Sequence, residues 1–307
     1  MVIKRYADNP ILTARDVPFK ANSLFNAGAV KFNDQYLLVC RVELPSGLSA
    51  LVKAWSHDGI HFEVEDKLFL RAEDHGDLLE YVQWGIEDVR INPLNGDFYL
   101  TYTGYSPNEP VVLLAKTSDF ETVEVLDVIS EPVNKDAVIF PEKINGYYWK
   151  IDRPAISPVQ GDMWINRSPD LIHWGFNRRL ISTRKPWWDA DKIGASTPPI
   201  KTELGWLMLY HGVRTIGTSM IYRQGLLLLD LNEPYKVLGR SKEPLISPEE
   251  SYERIGDVPN VIFCTGWIAE DDGEVKIYYS GADSNICLAT TSVDKLLALC
   301  KGESCAG

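Results

Sequence analysis

YLLVCR (36–41) is a strand-like run that closes on a polar residue, and it has four counterparts: FYLTYT (98–103), YYWKIDR (147–153), WLMLYH (206–211) and VKIYYS (275–280). Each is followed by a second run, in order LVKAWS (51–56), VVLLAKTS (111–118), MWINRS (163–168), GLLLLD (225–230) and ICLATTS (286–292). A recurrence of roughly 50–60 residues with about four short strands per unit is the mark of a β-propeller blade. The fold class that follows is all-β: a five-bladed β-propeller with a central active-site cavity and a short C-terminal helix. Blades converge on one axis. The polar residues ending the middle strands, Arg41, Thr103, Arg153, His211 and Ser280, are therefore expected to ring a single pocket.

Each middle strand is preceded by another strand and a tight turn, whose pieces NDQ, LNGD, NG, ELG and DDGE are hairpin chemistry. After the third strand come the similar stretches SHDGIHFEVE, TSDFETVEVL and RSPDLIHWGFNRRLI, read as an outer-edge turn and a fourth strand. SVDKLLALC (292–300) is the one clear helical segment, and with no linker or low-complexity stretch residues 1–307 read as a single domain. Three stretches, 67–85, 183–197 and 211–222, read as irregular. Their aromatics Tyr81, Trp84, Trp187 and Trp188 are expected to cap the pocket mouth, either as sugar-stacking faces or as loop packing.

The 307 residues are 45% hydrophobic, ample for a core, and the formal charge of −12 excludes the basic face that nucleic acid requires. Any anion site must then be a local basic cluster. No run approaches a membrane span or a signal peptide, and Cys40, Cys264, Cys287, Cys300 and Cys305 show neither zinc spacing nor a disulfide framework. The expectation is a cytoplasmic protein with free thiols, no metal and no membrane partner.

WGIEDVR (84–90) is the sharpest local motif. Glu87 and Asp88 are neighbours on a strand, so alternation turns only one of them to the axis, with Arg90 on the side of Asp88. Asp88 lies where the first blade has Asn26, so both are expected at the axis. An Asp near an Arg is usually a structural ion pair. Lys135 in NKD, Arg153 in DRP, His211 in YHG and Tyr222 in YRQG come from consecutive blades. Singly, each has a bland reading as a core histidine or a solvated turn. Together they suit a phosphate dianion, which takes several charge-assisted hydrogen bonds. An acid on one side and an anion on the other describe displacement at a sugar carbon, as in an inverting glycosidase whose water is replaced by phosphate.

Over its whole length the chain resembles the glycoside hydrolase family 130 β-mannoside phosphorylases, through FNAGAV (25–30), VCRVE (39–43), GIEDVRI (85–91), NKDAVIFPEKING (134–146), KIGASTPPI (192–200), YRQGLLLLDLNEPYKVL (222–238), DVPNVIFCTG (257–266) and YYSGAD (278–283). The resemblance implies Asp88 as general acid, and Asn26, Arg41, Lys192 and Asp283 as ligands of the mannosyl unit, with Phe263 bordering it. It assigns Lys135, Arg153, His211 and Tyr222 to phosphate, the co-substrate, with no further cofactor. It implies inverting phosphorolysis of a β-mannoside to α-mannose 1-phosphate, the acid acting through the mannose 3-hydroxyl. It also implies frequent homo-oligomers. The chain departs from the family pattern at EDVR, where Pro commonly follows Asp, at Ala27, where Ser is frequent, and at Lys135, where many members have Arg.

Two other readings compete. A hydrolase would use water in the same pocket, either within this family or as another five-bladed glycosidase; the latter need a second carboxylate base, for which Asp283 is the one further acid the repeat places well, although the resemblance makes it a sugar ligand. A non-catalytic sugar-binding propeller would have no use for an acid opposite a cationic cluster.

Overall fold

The computed structural model describes residues 2–301 except Ile156, Pro158 and Val159; Cys305 lies outside them. Five antiparallel sheets follow one another along the chain, each built in sequence order from the inside outwards. The first blade comprises Ser23–Phe32, Gln35–Glu43, Ser49–Ser56 and Glu63–Leu70, and the second Ile86–Leu94, Asp97–Gly104, Val111–Thr117 and Glu124–Ser130. The third comprises Asn134–Ile139, Tyr148–Pro154, Met163–Ser168 and Gly175–Ile181. In the fourth, a broken inner strand (Lys192–Ala195, Ile200–Thr202) is followed by Gly205–Ile216, Ser219–Leu229 and Val237–Arg240. The fifth contains Ile262–Ala269, Glu274–Gly281 and Asn285–Ser292, and its outer edge is completed by Lys4–Arg5 and Leu12–Thr13 from the start of the chain. A helix, Val293–Lys301, follows.

The ring is held by one apolar seam between each pair of neighbouring blades, which explains why the middle strands are apolar on both faces. Leu37 and Val39 pack toward the second blade against Ile91 and Leu100, whereas Leu38 and Cys40 pack toward the fifth against Tyr278 and Leu288. Successive side chains of a strand point to opposite faces, so a blade buried on both sides reads as a continuous apolar run. Where the N-terminal strand closes the ring, Arg5 Nε donates to Glu253 Oε1 at 2.7 Å and Tyr279 Oη donates to the same oxygen at 2.9 Å.

The outer-edge turns are alike in three blades. Ser56 Oγ accepts from Gly59 N, and Asp58 Oδ1 accepts from Ile60 N and His61 N. The same pattern recurs from Thr117 and Asp119, and again from Ser168 and Asp170. Side-chain acceptors of this kind replace a ladder with a tight local turn.

The stretches expected to be irregular are largely ordered elements. Residues 67–70 finish a strand and 72–81 form 3-10 turns; 211–222 is mostly the far end of a long hairpin, Gly205–Ile216 with Ser219–Leu229. Gly212, Gly217 and the polar residues around them concealed the hairpin, whose register runs unbroken to Ile216 and Ser219.

Candidate active site

The inner strands of the first three blades share one device. Each carries a bulge, between Phe25 and Ala27, between Glu87 and Arg90, and between Lys135 and Val138. At each bulge sits a polar residue in the left-handed region: Asn26 (φ 47°), Asp88 (φ 55°) and Asp136 (φ 60°). Asn and Asp tolerate that conformation better than other residues with a side chain. A bulge re-aims side chains. Here it corrects the expectation that Glu87 and Asp88 face opposite ways: both line the axial cavity. Arg90 instead turns into the wall, where it is 1% exposed and donates to Asp88 O and Asp136 Oδ1.

The cavity has a volume of about 680 Å³, within the range of small-molecule sites. Inner strands contribute Asn26, Asp88, Lys135, Lys192 and Phe263; Arg41, Arg153 and His211 come from the second strands, Tyr222 from the third strand of the fourth blade, and Asp283 from the turn after Glu274–Gly281. These ten candidates thus line one space. Thr103 and Ser280 do not line it, contrary to expectation. Both are fully buried, and Ser280 Oγ instead accepts from the backbone N of Asn26, supporting the first bulge.

One side of the cavity is acidic. Asn26 Nδ2 donates to Asp88 Oδ1 at 2.7 Å and Arg41 Nη1 donates to the same oxygen at 3.2 Å. Among the described residues Asp88 Oδ2 has no protein donor. Arg41 is fixed by Ser49 Oγ and by Glu87 Oε1 at 2.9 Å, and lies over the Phe25 ring. Burial, then the charge of Asp88, pushes the Asp283 carboxyl up to about 7.

The other side is cationic, and sequence reasoning missed what organises it. Lys135 Nζ donates to Glu87 Oε2 at 2.9 Å. Asp136 is 3% exposed; it accepts from Arg153 Nε at 2.7 Å and lies 3.4 Å from His211 Nε2. Burial opposes the charge of Asp136, but the Arg153 and Arg90 guanidiniums outweigh it and hold the carboxyl well below the usual range. Burial likewise opposes the charge of Glu87, and Arg41 and Lys135 lower it. Burial brings His211 down to about 3, so the ring is neutral at pH 7. His211, Phe263 and Tyr222 pack against one another as a cluster of three rings, and Lys192 Nζ lies 5.1 Å from the Tyr222 ring centroid. Burial and then Arg153 depress Lys192 to about 8. Gly194 is required by this packing, since a Cβ there would lie 2.4 Å from Asp136 Oδ2 and 2.5 Å from His211 Cε1.

A signal for Asp136 was present in the sequence: the D of NKD occupies the register of the N in FNA and the D of EDV. The aromatic cap differs from expectation. Tyr81, Trp84, Trp187 and Trp188 are all off the cavity lining, and Trp187 and Trp188 donate instead to Lys242 O. Tyr105, which drew no notice in the sequence, lines the mouth, and Trp84 packs against it.

Comparison with known proteins agrees with this architecture. Residues 4–302 match the model of the Glyco_hydro_130 family, described as beta-1,4-mannooligosaccharide phosphorylase. The chain is 35% identical to the beta-1,4-mannooligosaccharide phosphorylase of Ruminococcus albus, covering 99% of this chain and 92% of that one. It is 32% identical to the beta-1,2-mannobiose phosphorylase of Listeria innocua, covering 97% and 98%. The structure of a Listeria innocua beta-1,2-mannobiose phosphorylase in complex with beta-1,2-mannobiose superposes with a TM-score of 0.90 at 31% identity, over 99% of this chain and 100% of that one. The chain belongs to glycoside hydrolase family 130 and is an enzyme of the phosphorylase type.

Proposed function

We propose that the protein carries out inverting phosphorolysis of β-mannosides, releasing α-mannose 1-phosphate and a shortened acceptor. Asp88 is the general acid, acting on the glycosidic oxygen through the mannose 3-hydroxyl while phosphate attacks C1 from the opposite face. Asn26, Arg41 and Asp283 hold the mannosyl unit, with Phe263 at its border. Lys135, Arg153, His211 and Tyr222 hold phosphate, and Lys192, read as a sugar ligand, stands close enough to Tyr222 and Arg153 to serve the anion as well.

The observation that carries this reading is the state of the carboxylates. On the cationic side, Glu87 and Asp136 are ion-paired and held at depressed pKa, which makes them poor bases for activating water. Asp283, whose raised pKa would suit a base, feels the charges of Asp88, which raises it, and Arg41, which lowers it, and so belongs with the acid rather than with the cations. The cations are thus left to an incoming anion. The test is incubation with β-1,2- and β-1,4-mannobiose with and without phosphate. Mannose 1-phosphate is expected to form only with phosphate; equal mannose release without it would make the enzyme a hydrolase.

The pH dependence of anion binding follows from Lys192. Its folded pKa of about 8 lies below the 10.5 of a free lysine, so between those values the folded state binds fewer protons than the unfolded one. Keeping Lys192 charged below pH 8 therefore costs stability, which a bound anion restores. Arg153 and Lys135 depress it, and Asp136 and Asp283 support it. Above pH 8 phosphate is already the dianion, so only the lysine titrates against it. Calorimetry from pH 7 to 9.5 should show Kd for phosphate rising by up to about tenfold per unit above pH 8, one proton being linked to binding. A flat profile would remove Lys192 from the anion site.

A further inference from the structure

One side chain joins the two sides of the cavity from within. Glu87 Oε1 accepts from Arg41 Nη2 at 2.9 Å, and Glu87 Oε2 accepts from Lys135 Nζ at 2.9 Å. Arg41 stands on the acid's side, where its Nη1 donates to Asp88 Oδ1. Lys135 stands on the cationic side, opposite Arg153 in the register of the third blade. A single carboxylate therefore reaches from the partner of Asp88 to the cations of the other side. Arg90 also touches both sides, through Asp88 O and Asp136 Oδ1, but from inside the wall. The bulge at Asp88 is what brings Glu87 in. Regular alternation would turn it away, so one backbone device delivers the acid and this bridge together.

The bridge holds its two cations unequally. Lys135 depends on it: among the described residues Glu87 is the one hydrogen-bond acceptor of its ammonium, which ends a flexible four-carbon stem. The Tyr105 ring, 5.3 Å from Nζ, is a softer guide. Arg41 is also tied by Ser49 Oγ and Asp88, and it lies over the Phe25 ring. Neither cation is used up. An ammonium has three N–H donors and a guanidinium five, so both keep donors for a ligand. The side chains of Arg41 and Glu87 are 15% exposed and that of Lys135 27%, so both pairs are screened less than surface ones.

We propose that Glu87 is a positioning residue for both substrates at once, setting Arg41 for the sugar and Lys135 for the anion. The assignment deepens the phosphorylase reading above and rests on it. A sugar carbon and an incoming phosphate react only when held in line, and a misplacement of about 1 Å costs up to about 10²-fold in rate. A carboxylate that fixes one cation of each site also sets the distance between the sites. Its charge has the opposite consequence. A negative group beside an anion site repels the anion, so as a mere counter-charge Glu87 would weaken phosphate binding. Placement and charge therefore predict opposite signs for phosphate when Glu87 is removed.

The experiment uses the whole chain in phosphorolysis of whichever mannobiose the wild type cleaves, each KM being measured with the other substrate saturating. Glu87→Ala is expected to raise both KM values about 3- to 10-fold, less than the about 10- to 100-fold of losing a charged contact outright. Glu87→Gln is close to isosteric and guards against a folding defect in the alanine variant. Its amide has one acceptor for two cations, so at least one KM should stay raised. Lys135→Met, alone and combined with Glu87→Ala, completes a cycle. Without Lys135, the loss of Glu87 should no longer raise phosphate KM but should still raise mannoside KM. A fall in phosphate KM in Glu87→Ala would overturn the proposal, since Glu87 would then be a counter-charge. So would a rise in phosphate KM that persists without Lys135, or wild-type KM values in Glu87→Gln. A lower kcat and thermal midpoint with both KM values unchanged would mark a merely structural pair and overturn it too. Mannose release by the wild type without phosphate would sink the phosphorylase reading alone. The mannoside KM of Glu87→Ala in that hydrolysis would still judge the hold on Arg41.

Discussion

Asp88→Asn is expected to leave the propeller folded and the sugar bound while turnover falls by about 10²–10⁴-fold, the usual contribution of a general acid. The substitution is close to isosteric. Asn adopts the left-handed backbone that position 88 requires, at φ 55°, and Asn26 and Arg41 would keep an oxygen to donate to, although the Arg41 contact loses its ion pair. What disappears is the proton that the leaving oxygen needs. The measurement is kcat with KM for the mannoside and the thermal midpoint. A kcat within a few-fold of wild type would show that the acid lies elsewhere, with Glu87 and Asp283 the remaining carboxyls near Arg41.

The propeller was legible because each blade is buried on both faces: runs such as LLVC and LLLL announce middle strands, and their spacing counts the blades. The candidate residues were legible for a related reason, since strand position within a repeat translates into distance from the axis. What alternation could not reveal was the bulge. A rule of period two turns Glu87 away from Asp88, and one added residue in the left-handed region cancels it. The same blind spot hid Asp136, the carboxylate around which Arg90, Arg153 and His211 are arranged. Tyr105 was hidden differently. It follows a regular strand and becomes a rim residue only through the approach of Trp84 and Lys135, which lie 21 and 30 positions away along the chain in directions no local pattern encodes.

The second large effect concerns the nucleophile. Arg153→Ala should raise KM for phosphate by about 10- to 100-fold, because one charge-assisted contact contributes roughly 1.5–3 kcal/mol, while KM for the mannoside changes far less. Asp136 makes the argument more exacting. Arg153 Nε is committed to Asp136 Oδ2, so a guanidinium whose only task was neutralising that buried carboxylate would also line this wall. Removing it leaves Asp136 with Arg90 and His211, and breaking a buried pair costs about 3–5 kcal/mol of stability. Loss of stability is therefore expected under either role and decides nothing. The split between the two KM values does decide, measured well below the variant's melting temperature. Arg153→Lys keeps the charge without the fork, and should recover part of the phosphate affinity if Arg153 contacts the anion. If both KM values and kcat move together, or the phosphate KM stays within a few-fold of wild type, Arg153 is a counter-ion to Asp136, and the anion would have to be held by Lys135, Lys192 and Tyr222.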